Sequence, residues 1–352
     1  MAGSQRISPR ELCEEGKDVS QRLLKELSAA SKEVNQAINE LFDDRLEPTK
    51  LYDASKHLIE AGGKRLRPFL VLEACELVGG DREDALPVAA AVELLHTFTL
   101  VHDDIMDSDD KRRGKPTVHT LWGIPIAISA GDMLYAKAYE AVLSSLRPSK
   151  VSPRRILKIL SLITEATISI CEGQALDILF ERRELISEKE YFNMITKKTA
   201  GLLETSTRVG AIVGGGKAAQ VKRLGRYAYY SGLAFQVIDD YLGITADEKV
   251  LGKPVGSDIR EGKRTLILIH ALTHATETER NQMYSVLGHG DASPTEIEEV
   301  SRIIHSLGSL DYAFNKAEQL VAKAKRQLSS FPPSQTKETL LNLADYVVSR
   351  KY

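Results

Sequence analysis

The sequence predicts an all-α protein, a single-domain helical bundle, on three observations. Leu, Ile, Val and Ala recur along almost all of its 352 residues, whereas Phe, Trp and Tyr together make up only 6%. Alternating, strand-like runs are scarce, which favours helices over sheets. Every segment rich in Pro, Gly or Ser is too short to link two domains. We therefore expect one domain over residues 19–352, preceded by a flexible N-terminal tail over residues 1–18.

The helices are predicted in order from apolar periodicity and from the breakers between them. The first follows the tail, because Leu23, Leu27, Val34 and Ile38 fall at helical intervals. The others are predicted over residues 49–61, 67–79, 84–107, 127–146, 153–182, 188–213, 217–243, 260–275, 294–308, 310–330 and 336–350. Breakers separate them at Gly62-Gly63, Gly79-Gly80, Gly114 with Pro116, Pro148 and Pro153, Gly214-Gly215-Gly216, Gly252 with Pro254, and Pro332-Pro333.

Composition and charge argue against several classes of protein. A net charge of -2 lacks the basic character of a nucleic-acid binder, so no nucleic-acid partner is expected. Cys13, Cys75 and Cys171 are far apart and lack metal-type spacing, which indicates neither a disulfide framework nor a zinc site. The charge-free stretch from Pro116 to Gly131 is shorter than a bilayer span, and no export signal begins the chain. We expect no membrane span and a cytoplasmic location.

The first candidate site is an acidic helix end formed by Asp103, Asp104 and Asp107. Asp103 and Asp107 are four residues apart, so they share a helical face with about 5–6 Å between their β-carbons. The repulsion between them predicts a neutralising cation. Oxygen-only ligands favour Mg²⁺, Mn²⁺ or Ca²⁺, and Mg²⁺ usually leaves positions for water and substrate phosphates. The alternative is an ordinary solvated acidic helix end.

A second acidic helix end lies some 130 residues downstream, at Asp239 and Asp240. Two apolar helices that end in this way can face each other across a central cavity. Metal and phosphate would then lie at its mouth and a hydrocarbon chain between its apolar walls. Two unrelated surface patches are the alternative.

Basic residues accompany both acidic clusters. Arginine clamps phosphate oxygens through paired hydrogen bonds, and a turn entering a helix offers free N–H groups to an anion. The candidates are Gly62-Gly63-Lys64-Arg65-Leu66-Arg67-Pro68, Arg112-Arg113, Lys197-Lys198-Thr199, Gly252-Lys253-Pro254-Val255-Gly256-Ser257-Asp258 and Lys263-Arg264. Any one basic pair could be ordinary surface charge, but together they predict a diphosphate site.

In this order, the motifs resemble those of the trans-isoprenyl diphosphate synthase family over roughly residues 50–270. The Gly-Gly-Lys-Arg-x-Arg-Pro run at 62–68 resembles the family's isopentenyl diphosphate site. Asp103-Asp104-x-x-Asp107 resembles its first aspartate-rich motif and Phe235-Gln236-x-x-Asp239-Asp240 its second. Lys198-Thr199 and the run at 252–258 also match. Gly243 departs from the pattern, because the family's second motif often has a third aspartate there.

The resemblance implies the isoprenoid synthase fold and a role for each matched residue. Asp103, Asp107 and Asp239 would hold three Mg²⁺ ions, with Mn²⁺ as an alternative metal, and Asp104 and Asp240 would support them. Arg112 and Lys198 complete the implied catalytic set. Lys64, Arg67, His96 and Arg113 would bind isopentenyl diphosphate. The residues implied for the allylic diphosphate are Arg112, Lys198, Thr199, Gln236, Lys253 and Lys263. A homodimer is implied by the family alone.

The expected activity is therefore the condensation of isopentenyl diphosphate with dimethylallyl, geranyl or farnesyl diphosphate. Phe98 lies five residues before Asp103, about one and a half turns deeper, and is a candidate for the floor that stops chain growth. A core aromatic is the alternative for Phe98. An aromatic there, with Thr99 as its neighbour, resembles archaeal-type geranylgeranyl diphosphate synthases. A farnesyl or longer-chain synthase is the alternative product class.

Three other functions are compatible with parts of the sequence. A terpene cyclase would carry an Asn/Ser/Glu metal triad late in the chain and would lack the Gly-Gly-Lys-Arg-x-Arg-Pro run. A metal-dependent phosphohydrolase, suggested by His102-Asp103, would need further histidines in a supporting arrangement. A non-catalytic subunit of a synthase dimer would have lost one acidic cluster. Turnover assays with each allylic starter separate these alternatives.

Overall fold

The chain folds into helices joined by short turns, and the computed structural model describes residues 9–42, 47–144, 151–245 and 256–349. The first half contains α1 (Pro9–Asn39), α2 (Thr49–Glu60), α3 (Leu66–Leu77), α4 (Arg82–Met106), β1 (Lys111–Arg112), β2 (Lys115–Pro116), α5 (Val118–Trp122), α6 (Ile124–Ser144) and α7 (Pro153–Glu181). The second half contains α8 (Glu188–Ile195), α9 (Gly201–Val213), α10 (Ala218–Thr245), α11 (Ser257–Glu261), α12 (Leu266–His274), α13 (Glu277–Tyr284), α14 (Pro294–Ser306), α15 (Ser309–Gln327) and α16 (Gln335–Ser349). The prediction of an all-α fold is confirmed, since the two described strands form one short antiparallel hairpin.

Capping residues define where the functional helices begin. The Asp81 side chain accepts a hydrogen bond from the Glu83 N–H at 3.0 Å and caps α4. At the start of α8, the Ser187 hydroxyl accepts from the Glu190 N–H at 3.2 Å, and the Glu190 carboxylate accepts from the Ser187 N–H at 2.8 Å. This capping box satisfies two N–H groups that would otherwise lack partners.

The structure differs from the predicted helices in three places. Helix α1 begins at Pro9, so residues 9–18, assigned from sequence to the tail, have a helical backbone; proline is favoured in the first turn of a helix. The helix predicted over 260–275 is two helices, because Gly262 adopts φ 72° and ends α11. The predicted helix 188–213 is interrupted by a π-helical turn over Thr196–Ala200.

One contiguous apolar core runs through the described residues, from α1 to α16. Within it, α4 packs against α3 and α6, while α10 packs against α9 and α15. Helix α9 contacts both α4 and α10 and therefore links the two helices that end in aspartates. Of the described helices, α4 alone is long and apolar enough to cross a bilayer, and 61% of its most apolar window is buried. A buried core helix meets the same criteria, so this is weak evidence for a membrane span.

Candidate active site

The first acidic cluster lies at the C-terminal end of α4. Asp104 is fully buried, and the Arg112 guanidinium donates to it from the β1–β2 hairpin. Arg112 also donates to the Asp109 carboxylate at 3.4 Å. The hairpin therefore folds Arg112 back over the acidic cluster. Asp107 is exposed at the helix end, where the helix dipole adds negative potential that attracts a cation.

The Asp103 carboxyl lies where burial opposes its ionisation. Burial, the largest cause, raises the pKa of the Asp103 carboxyl to about 6. The Lys198 charge opposes this rise, and the neighbouring Asp107 carboxylate adds to it. A bound divalent cation would remove this penalty, because it favours the ionised carboxylate.

Lys198 and Thr199 reach the site from the π-helical turn between α8 and α9. A Cβ atom at Gly173 would collide with the backbone nitrogen of Lys198, so glycine lets α7 approach this turn closely. The Lys198 ammonium donates to the Asp177 carboxylate of α7. Asp177 was not predicted from sequence, because its helix carries no aspartate cluster; the nearby Gly173 is the local signal that marks it.

The second acidic cluster, on α10, is held by a chain of hydrogen bonds. The Thr199 hydroxyl donates to Gln236 Oε1 at 2.9 Å, and Gln236 Nε2 donates to Asp240 Oδ1 at 3.0 Å. The Tyr191 hydroxyl donates to Asp240 Oδ2 at 2.6 Å. Burial, with the nearby Asp258 charge adding to it, raises the pKa of Asp240 to about 8. Asp240 is therefore fixed inside the wall, and Tyr191 is a second residue that sequence reasoning missed.

A cavity of about 430 Å³ brings these groups together. Its lining includes Arg112, Asp177, Lys198, Thr199, Gln236, Asp239, Asp240, Asp258 and Lys263. Burial lowers the pKa of Lys263, but the Asp177 and Asp107 carboxylates outweigh it and leave that pKa above its ordinary value. Lys263 thus lies close to the first cluster and lines a cavity with the second. The cavity therefore contains the second cluster, and its lining residues Arg112 and Lys263 interact with the first.

The carboxylate set fits magnesium bridged by a diphosphate. Among the described residues, no three His, Cys, Asp or Glu side chains converge on one point where the protein alone could hold an ion. Mg²⁺ is typically held by one or two carboxylates, with phosphate oxygens and water completing its coordination. Asp104 Oδ2 is buried without a hydrogen-bond partner, which also indicates a cation nearby. Asp103, Asp107 and Asp239 are carboxylates of the kind that would share such an ion with a phosphate ligand.

Gly243 bears on the missing third aspartate of the second cluster. A Cβ atom placed there would lie 2.9 Å from Asp258 Oδ2. The Asp258 carboxylate therefore occupies the space beside the position where the family pattern often has an aspartate side chain. Lys253, assigned by resemblance to the allylic diphosphate, lies outside the residues that the structure describes.

A second cavity, of about 460 Å³, carries the other predicted diphosphate ligands, Lys64, Arg67, His96 and Arg113. Arg67 Nη1 donates to His96 Nε2 at 3.1 Å. Burial and the Arg67 charge hold the pKa of His96 well below its ordinary value, so the ring is neutral and accepts this bond. Arg67 Nε is buried without a partner, and the Arg113 guanidinium donates to the Gly62 carbonyl.

The two cavities adjoin along α10. Phe235 lines the cationic cavity, and Asp239, one turn later on the same helix, lines the carboxylate cavity. Asp239 is also close enough to Arg67 for its charge to raise the pKa of that guanidinium, although burial lowers it to about 10. The structure therefore places the cavity lined by carboxylates and cations beside a second cavity, in which cations predominate and Glu93 is the one carboxylate among the described lining residues.

Phe98 lies on the side of α4 that faces α6. Its ring centroid is 4.9 Å from that of His102 and 5.5 Å from that of Tyr135. Tyr135 donates to the Tyr139 hydroxyl at 3.1 Å. Thr99 is turned back on its own helix, where its hydroxyl donates to the His96 carbonyl at 2.8 Å. An aromatic layer therefore lies below the first acidic cluster.

The chain matches known proteins along most of its length. A sequence model of the polyprenyl synthetase family matches residues 48–304. The short chain isoprenyl diphosphate synthase of Methanothermobacter thermautotrophicus is 46% identical over 92% of this chain and 97% of its own. The geranylgeranyl diphosphate synthase of Methanosarcina mazei is 43% identical over 94% of this chain and 98% of its own.

Solved structures match over the same extent. The geranylgeranyl pyrophosphate synthetase of Pyrococcus horikoshii superimposes with a TM-score of 0.89 at 41% identity, over 94% of this chain and 99% of that one. The geranylgeranyl pyrophosphate synthase of Corynebacterium glutamicum, solved with isoprenyl diphosphate and magnesium, has a TM-score of 0.83 at 28% identity over 94% of this chain and 99% of that one.

Proposed function

The chain belongs to the polyprenyl synthetase family, and from its paired cavities we propose that it condenses isopentenyl diphosphate with an allylic diphosphate to give geranylgeranyl diphosphate and diphosphate. The observation that carries this proposal is the contact between two unlike anion sites. One is lined by carboxylates and cations, as a metal-bound diphosphate requires, and the other by Lys64, Arg67, His96 and Arg113. An enzyme with a single diphosphate substrate would need only one anion site, whereas a condensation of two diphosphates needs two.

In this proposal Asp103, Asp107 and Asp239 would hold three magnesium ions per active site. Asp258 would supply the carboxylate that the family pattern often has at position 243. Bound magnesium supplies Lewis-acid stabilisation of the allylic leaving group. Lys198, Arg112 and Lys263 bind the same diphosphate and stabilise the charge that grows on it. Asp104 and Asp240 orient this set through their hydrogen bonds to Arg112, Tyr191 and Gln236.

The reaction breaks the allylic C–O bond and forms a C–C bond. Arg67 and its neighbours hold isopentenyl diphosphate with its double bond toward the allylic cation, which the double bond attacks. A proton then leaves the new cation and passes to the released diphosphate, so the protein needs no general base. Water would quench the cation, and the apolar walls between α4 and α10 exclude it. The aromatic layer at Phe98 would stop growth at twenty carbons.

Turnover assays with Mg²⁺, isopentenyl diphosphate and each allylic starter test this proposal. Incorporation of labelled isopentenyl diphosphate into a C20 product, lost in Asp103→Asn and without metal, is expected. A cyclic hydrocarbon from the allylic substrate alone would indicate a terpene cyclase, and release of phosphate alone a phosphohydrolase. If the folded protein forms no product, the remaining interpretation is a non-catalytic subunit of a synthase dimer.

We also propose a homodimer, supported by an exposed apolar stripe. Leu157, Ile168 and Leu179 recur every eleven residues on α7 and are 68%, 56% and 58% exposed. An eleven-residue spacing keeps side chains on one helical face, so these three exposed apolar residues lie along one side of α7. Ile168→Asp should halve the mass measured by light scattering.

A cytoplasmic location is likewise proposed, supported by the unpaired thiols of Cys75 and Cys171.

A further inference from the structure

Arg65 lies inside the run that carries the isopentenyl diphosphate ligands, yet its side chain is buried in the protein. It is 3% exposed and adopts a left-handed backbone conformation, φ 47° and ψ 39°. Its Nη1 donates to Glu93 Oε1 at 2.6 Å, its Nη2 to the Ile59 carbonyl at 2.5 Å and its Nε to Asn35 Oδ1 at 3.0 Å. A residue other than glycine keeps this backbone conformation when its surroundings over-determine it.

These bonds join three separate parts of the chain around one guanidinium. Asn35 belongs to α1, Ile59 to the last turn of α2 and Glu93 to the middle of α4. Glu93 is itself 2% exposed, so the Arg65–Glu93 pair is shielded from solvent. Removing one partner would leave a buried charge uncompensated.

Arg65 and Glu93 each lie close in sequence to a residue predicted to bind the diphosphate. Arg67 follows Arg65 by two residues, and His96 follows Glu93 by three residues, or nearly one helical turn. Arg67 and His96 meet each other at 3.1 Å across the cationic cavity. Fixing Arg65 to Glu93 therefore fixes the start of α3 against α4, and with it the distance between these two ligands.

We propose that Arg65 and Glu93 are positioning residues for the isopentenyl diphosphate site, a role that rests on the proposed function. Both border the cationic cavity, but their charged groups are paired with each other, and their role is to hold Arg67 and His96 in the geometry that binds the diphosphate. A purely structural pair would stabilise the fold without favouring one substrate over the other. The two roles can be distinguished by the Michaelis constants: a positioning pair affects the KM for isopentenyl diphosphate alone, whereas a purely structural pair does not favour one substrate.

Three variants test the role. Arg65→Met breaks the pair, the double variant R65M/E93L replaces it with apolar side chains of similar volume, and Arg65→Lys keeps the charge beside Glu93. Lysine lacks the planar fork that reaches Glu93, Ile59 and Asn35 together. A misplacement of about 1 Å can cost on the order of a hundredfold. We expect each variant to raise the KM for isopentenyl diphosphate about 10- to 100-fold, with the KM for the allylic substrate within about twofold of wild type.

The double variant makes the test decisive. Replacing a buried ion pair by apolar groups usually restores stability, so its thermal midpoint should return towards the wild-type value while its KM for isopentenyl diphosphate stays high. Recovery of that KM along with the midpoint would overturn the proposal. An unchanged KM in Arg65→Lys, or equal rises for both substrates in Arg65→Met, would overturn it as well.

Arg82 provides a matched control away from the cavities. It links α1, α3 and α4 through Glu33 at 2.8 Å, Glu76 at 2.9 Å and Glu73 at 3.2 Å. Arg82→Met should lower the thermal midpoint and leave both KM values unchanged. Wild-type turnover is measured first, because its absence would refute the proposed function itself, whereas turnover with an unmoved KM for isopentenyl diphosphate refutes only the positioning role.

Discussion

Truncating Phe98 should lengthen the product by one isoprenyl unit. Phe98 lies five residues before Asp103, about 7.5 Å deeper along α4. Phe98→Ala removes the six-carbon ring, which is close in size to the five-carbon unit added in each cycle. Tyr135, whose ring packs against that of Phe98, then becomes the next obstacle. Tyr139 and Thr164 support Tyr135 from below through a 2.8 Å hydrogen bond, so growth should stop after one extra unit.

The assay is chain-length analysis of the dephosphorylated, radiolabelled product. Phe98 is half-buried, so loss of its phenyl group should cost less than the roughly 3 kcal/mol of unfolding free energy typical of a fully buried ring, and the variant is assayed below its thermal midpoint. Phe42→Ala deletes the same ring from a buried site three residues after α1, where it packs against Tyr52, and should leave the product unchanged. An unaltered C20 product from Phe98→Ala, or longer products from Phe42→Ala, would refute the assignment of Phe98 as the floor.

Three further predictions follow from the carboxyl groups. Burial raises the pKa of Glu73 to about 7 from an ordinary value of 4.5, so its contribution to stability is complete below pH 4.5 and is lost as pH rises through 7. In urea unfolding, Glu73→Gln should match the wild-type free energy of unfolding near pH 4.5 and exceed it by about 1–3 kcal/mol at pH 8. The same substitution at the exposed Glu298 should leave that free energy unchanged. Tyr191→Phe removes a hydrogen bond to ionised Asp240, so the acidic limb of the rate profile should move up by about 0.5–1 pH unit; an unmoved limb would exclude Asp240 as the titrating group. Asp258→Asn should weaken Mg²⁺ binding in the presence of diphosphate about tenfold by calorimetry, and unchanged affinity would remove it from the metal site.

The aspartate clusters could be predicted from sequence because their geometry is local. The spacing of Asp103 and Asp107 on a helix fixes their shared face whatever surrounds it. The apolar residues before Asp239 likewise required a buried helix with a polar end. The prediction that both clusters face one cavity rested on the matching ends of the two helices, the accompanying basic residues and the resemblance to a family, since no local pattern specifies how α4 and α10 pack.

The residues that sequence reasoning missed act through long-range contacts. Asp177 pairs with Lys198 across 21 residues and Tyr191 reaches Asp240 across 49. Arg65 was grouped with the phosphate-binding cations because of its neighbours, and only its burial against Glu93 separates it from them. Helix α13 was missed for a different reason: its polar sequence lacks the apolar periodicity on which helix prediction depends.

The distribution of carboxylates explains how two substrates with the same diphosphate group can have different fates. The cavity that contains Asp239 and Asp258 can recruit magnesium, and a magnesium-bound diphosphate is a good leaving group. In the cationic cavity Glu93 is the one carboxylate among the described lining residues, and its pairing with Arg65 makes it unavailable to a metal ion. Arginine and a neutral histidine can hold a diphosphate there without Lewis-acid activation of its C–O bond. The allylic substrate should therefore ionise while isopentenyl diphosphate keeps its diphosphate, and the direction of chain growth follows from which cavity can bind metal.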